Sequence, residues 1–201
     1  MRPLYSDKLG DDARREGVAD EIIKKLRIVK RQEWNADPPK RQLESDWDYR
    51  WVAIHHTGYG LWHPTPTSPK AIQSFHEGGG RDWDDIGYHY CVSIDGRIFE
   101  GRRLLYKGAH LFRLNTGKIG IVCLGNFDDA WYDVYGKHAS FPLYVALYRL
   151  ISTLRGYFPI AYLGGHVEYS NDGRTCPGGY LLDTVKKLRT NLTLSPPLRI
   201  R

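Results

Sequence analysis

The chain has 201 residues, 41% of them hydrophobic and 26% charged, which is enough for one domain with its own core and too apolar for a disordered chain. No apolar run approaches the roughly 20 residues of a membrane-spanning helix, the first residues carry no apolar stretch of the secretory-signal kind, and three cysteines, an odd number, argue against a disulfide framework. The formal charge of +6 does not describe a basic face: residues 51–183 hold 12 basic and 12 acidic side chains while residues 184–201 hold five basic and none acidic, so no nucleic-acid partner is expected.

Residues 11–27 read as a short amphipathic helix, with acidic side chains in its first turns and Lys24, Lys25 and Arg27 at its end, as the helix dipole favours. Residues 28–50, with Pro38 and Pro39, read as an extended connection. WVAIHH (51–56) is a short apolar run of the buried-strand kind. A loop over 63–69 leads to a helix near 69–77, and EGGGRDWDD (77–85) is a glycine-rich loop. YHYCVSI, Asp95-Gly96 and RIFEG (88–101) have the pattern of a β-hairpin on a two-residue turn, and IGIVCLGN (119–126) is another apolar strand. Residues 142–158 place Leu143, Leu147, Leu150, Ile151 and Leu154 on one helical stripe, with Pro142 and Gly156 as boundaries. A last helix over 179–190 turns Leu181, Leu182, Val185 and Leu188 inward. Strands interleaved with helices predict an α/β domain, a mixed central sheet flanked by helices. The expected division is an N-terminal helical extension over 1–30, the main domain over 31–190 and a basic tail over 191–201.

Two histidines, His55 and His56, close the first strand, and a later glycine-flanked loop carries His166 and Cys176 with nine residues between them. Two imidazoles and a thiolate with one open position make a known donor set for catalytic zinc. With eight histidines and three cysteines, however, the chain offers many such triples, and composition does not single this one out.

The blocks WVAIHHT, DWDDIGYHYCVSIDGRIFEGR, KGAH, IGIVCLGNF and GGHVEY…RTCPGG, in this order, resemble the zinc-dependent N-acetylmuramoyl-L-alanine amidases, a superfamily that includes the peptidoglycan recognition proteins. RQEWNADPP (31–39) looks like the segment that opens the domain in the recognition proteins. The resemblance implies that His55, His166 and Cys176 bind Zn²⁺, with water in the fourth position brought toward a pKa of ~7 as a nucleophile. It gives Tyr88 the role of the family's active-site tyrosine, aligning water or donating to the oxyanion. Arg174 stands where relatives carry Lys or Thr; an arginine there acts as an electrostatic clamp and not as a proton donor. His56, Trp83 and His110 are expected to meet substrate, His89 to lie near the site, and Trp62 to flank the cleft.

Other positions depart from the family pattern or fall outside it. The loop from His166 to Cys176 is longer than in the animal and phage members, and Val122 occupies a position where the cytosolic muropeptide amidases carry a catalytic Glu. Glu168, His63, His76 and His138 read as surface residues, and Cys91 and Cys123 as buried free thiols.

The implied activity is zinc-dependent hydrolysis of the amide between N-acetylmuramic acid and the L-alanine of the stem peptide. The alternative is a non-catalytic peptidoglycan receptor of the same fold. Synthesis in the cytoplasm without an export signal fits phage-type release as an endolysin, injection as an antibacterial toxin, or a recycling role. A delivered toxin implies a secretion machinery and an immunity protein as partners.

Overall fold

The computed structural model describes residues 12–58, 68–78, 81–128, 139–170 and 173–198. Trp62, His63 and His138 lie outside them. Among the described residues five strands form one sheet: β1 (Trp51–His56), β2 (Tyr90–Val92), β3 (Ile98–Glu100), β4 (Lys118–Cys123) and β5 (Tyr162–Gly165), in the order β3-β2-β4-β1-β5. β1 is parallel to β4 and β5, β2 is parallel to β4, and only β2 and β3 run antiparallel. The sheet is therefore mixed, as the alternation of apolar runs and helical stripes predicts.

One face is covered by three helices, α1 (Asp12–Leu26), α3 (Phe141–Tyr157) and α5 (Gly179–Asn191), which share a single hydrophobic cluster with Val52, Ile54, Ile119 and Ile121 of the sheet. Leu143, Leu147, Leu150, Ile151 and Leu154 of α3 are all fully buried. At about 1.5–3 kcal/mol per side chain, that stripe contributes on the order of 10 kcal/mol of transfer free energy before chain entropy is counted. α1, read from sequence as an extension, places Val18, Ala19, Ile22, Ile23 and Leu26 in this same cluster, since an amphipathic stripe needs an apolar partner and the sheet supplies one.

The other face carries α2 (Pro69–Glu77) and a short 3-10 turn, Arg31–Trp34, within the stretch predicted as extended. Trp34 and Ile72 pack there on Cys91, Phe99 and Val122. The turn forms because its side chains have partners far along the chain. Trp34 Nε1 donates to Glu100 O at 2.8 Å, and the Arg31 guanidinium donates to Gly101 O at 2.7 Å and to the buried Asp85 carboxylate at 3.0 Å. α2 and α3 each begin on a serine cap: Ser68 Oγ accepts from Ala71 N and Ser140 Oγ from Leu143 N, both at 3.2 Å.

β5 escapes sequence reading because YLGG lacks the β-branched residues that mark a strand; parallel pairing of Ile54 with Gly165 and Ala53 with Gly164 creates it. Both sheet edges are met by chain from outside the strands. Val29 bridges Phe99 of β3, and Ser195, beyond α5, bridges Tyr162 of β5.

Candidate metal centre and its cleft

β1 ends on the histidine pair. His55 sits on the same face as Ala53, beside Val122 of β4, and α4 (His166–Tyr169) starts where β5 stops, so His166 enters from the neighbouring strand end. Cys176 arrives from the loop before α5 and is tied back by Val167 N donating to Cys176 O at 2.9 Å. One ligand atom from each of His55, His166 and Cys176 lies within 4.8 Å of the others. The His55 and His166 rings are 4.8 Å apart, and His55 Nδ1 stands 3.7 Å from Cys176 Sγ. Burial, reinforced by His110 and His166, holds His55 well below the ordinary imidazole range, so the ring is neutral with a lone pair to give. Two imidazoles and a thiol at the end of parallel strands fit zinc in ligand type and number.

These three residues form the floor of a cavity of about 530 Å³. Tyr88 stands on its wall with its ring 5.1 Å from His55; burial, with the Cys176 sulfur as the next cause, pushes its phenol well above the ordinary value, so the hydroxyl stays protonated. Arg174 is exposed on the rim. Trp83 is half-buried, its ring tilted against that of His76 with centroids 4.5 Å apart, and the Arg81 guanidinium lies 5.0 Å above it. His56 lines the cavity too, its Nδ1 accepting from Phe127 N at 3.3 Å and its pKa lowered mainly by burial.

Several residues differ from their sequence reading. His76 is not on the surface: it is 4% exposed, its Nδ1 accepts from Gly87 N at 3.0 Å, and burial, then Arg81, lowers its pKa to about 3. Its neutral ring lines the cavity between Trp83 and Tyr88. The helical pattern of 69–77 shows which residues share a face, but not that the Trp83 loop folds over that face. Glu168 is a brace and not a solvated acid, accepting from Gly165 N at 2.9 Å and from Arg189 at 2.5 Å. His89 is buried behind the site, its Nδ1 accepting from Gly120 N at 3.0 Å and its Nε2 donating to Tyr106 O at 2.9 Å. His110 reaches the site, though with 7% exposure its ring lies mainly against His55. Cys91 and Cys123 are buried and free, as read.

The family described as N-acetylmuramoyl-L-alanine amidase matches residues 45–179. Peptidoglycan-recognition protein LB of Drosophila melanogaster is 31% identical over 182 residues, 88% of this chain and 73% of that protein. Peptidoglycan-recognition protein SD of the same fly is 33% identical over 105 residues, and the match spans 51% of this chain and 56% of the relative. Among solved structures, the N-acetylmuramoyl-L-alanine amidase LysC of Clostridium intestinale shares the fold with a TM-score of 0.68 at 23% identity, covering 84% of this chain and 98% of that one.

Proposed function

The chain belongs to the N-acetylmuramoyl-L-alanine amidase family, and from that premise we propose that it is a zinc-dependent hydrolase cleaving the amide between N-acetylmuramic acid and the L-alanine of a peptidoglycan stem peptide. The observation that carries this reading is the convergence of His55, His166 and Cys176 on the floor of a cavity large enough for a peptide segment. His55, His166 and Cys176 would hold the ion. When bound, zinc supplies a Lewis acid that brings the pKa of water toward ~7 and polarises the scissile carbonyl.

The chain's own residues do the rest. Tyr88, held protonated, donates a hydrogen bond to the oxygen on which charge develops. Arg174 brings positive charge to the rim, where it stabilises the anionic tetrahedral state; an arginine is unsuited to hand over a proton. Val122, paired with His55, supplies no carboxylate at that strand position. His56 and Trp83 face the cavity where the muropeptide would lie, and the stacked Arg81–Trp83 pair offers a flat, cationic shelf to a peptide bearing carboxylates.

The animal relatives are named as peptidoglycan-recognition proteins, and a second reading is a receptor that binds peptidoglycan without cutting it. The two separate cleanly. The hydrolase carries about one zinc per chain and frees new N-terminal alanine from cell-wall sacculi, and Cys176→Ser loses both. Sacculus binding with no zinc and no new amino termini gives the receptor reading. Among the described residues no helix is long and apolar enough to cross a membrane.

A further inference from the structure

His110 stands against the metal centre in a way that a substrate contact does not explain. Its Nδ1 lies 3.0 Å from His55 Nε2, and its Nε2 lies 3.4 Å from Lys118 O. A carbonyl oxygen only accepts. The proton of a neutral His110 ring therefore sits on Nε2, and Nδ1 is left as an acceptor. The contact with His55 then requires the His55 proton on Nε2, which leaves His55 Nδ1 with its lone pair toward Cys176 Sγ. One backbone carbonyl thus sets the protons on two rings in succession.

The chain also fixes where the His110 ring stands. A Cβ on Gly120 would come within 2.4 Å of the ring and one on Gly108 within 2.5 Å, so the imidazole occupies a slot that only two glycines leave open. At the loop, Asn115 Oδ1 accepts from the backbone N–H of His110 and of Leu111, both at 2.8 Å. Rotating the ring by half a turn would put carbon where each nitrogen now bonds.

We propose that His110 is a positioning residue that holds His55 as the Nε2–H tautomer, in the orientation that presents Nδ1 to the metal. The inference rests on the metal-site reading above. Partners behind a ligating histidine alter metal affinity about 10- to 100-fold in comparable sites.

The test uses the full chain, metal-free, in two measurements. Imidazole nitrogen NMR reads the His55 tautomer directly, and zinc chloride titrated against a competing chelating dye gives affinity. The wild type is expected to show His55 protonated at Nε2. His110→Leu removes the acceptor at similar volume and is expected to weaken zinc binding about 10- to 100-fold. His110→Gln restores an acceptor oxygen and is expected to recover most of that loss. A wild-type His55 protonated at Nδ1 overturns the proposal, whatever the variants do, as does a folded His110→Leu protein with wild-type zinc affinity. If the wild type binds no zinc, it is the metal-site reading that fails, and the tautomer measurement still judges His110 by itself.

Discussion

Gly120 is a position where one added methyl group would meet a buried aromatic ring. In Gly120→Ala the new Cβ would lie 2.4 Å from His110 Cδ2, 2.6 Å from Cγ and 2.7 Å from Nε2, three atoms of a rigid ring and none of them a flexible tip. The ring is also crowded at Gly108, where an added Cβ would come within 2.5 Å of His110 Cδ2 and 2.9 Å of His89 Cε1. Either the sheet gives way locally, an overpacking cost of about 1–3 kcal/mol, or His110 leaves and strands the buried His55 Nε2–H, at about the same cost. With a urea slope of roughly 2 kcal/mol per molar, the unfolding midpoint should fall by about 1 M. The control is Gly17→Ala, inside α1 with nothing within 4 Å of the added Cβ, which should instead stabilise by about 0.5–1 kcal/mol. Equal midpoints for the two variants in parallel urea titrations would refute the account of the His110 slot.

Two other outcomes follow from groups around the site. Burial holds His89 at about 4 in the folded chain against 6.5 when free, so the unfolded chain takes up a proton first as pH falls. Its contribution is complete above about pH 6.5 and is lost toward pH 4, roughly 3 kcal/mol in all; His89→Gln should flatten that part of a stability profile, and an unchanged slope removes His89 as its source. Arg174→Ala should lower kcat on sacculi with little change in KM, and Arg174→Lys should restore part of it; a loss confined to KM makes Arg174 a binding residue.

What the sequence made legible divides along local and non-local lines. The α3 stripe, the β1 run and the hairpin at Asp95-Gly96 are periodic or turn signals carried by adjacent residues, and the structure has an element at each, the turn closing between Ser93 and Arg97 over three residues and not the two expected. β5 and the Arg31–Trp34 turn are made by partners dozens of residues away, and nothing in YLGG or RQEW announces them. The same holds within the site. Family blocks draw attention to His55, His166 and Cys176, but the burial of His76 depends on the Trp83 loop and the Gly87 amide. The place of His110 depends on Gly108 and Gly120, twelve positions apart yet both against one ring.

The closure of the sheet edges bears on what counts as the folding unit. The residues that bridge the outer strands, Val29 at β3 and Ser195 at β5, both fall outside the 45–179 span that the family match covers. A piece cut to that span would lose the α1 side chains from the core and would leave both outer strands offering unpaired N–H and C=O groups to other chains, the usual start of edge-to-edge aggregation. The borders of the family match therefore lie inside the borders of the hydrophobic core and of the sheet's edge contacts.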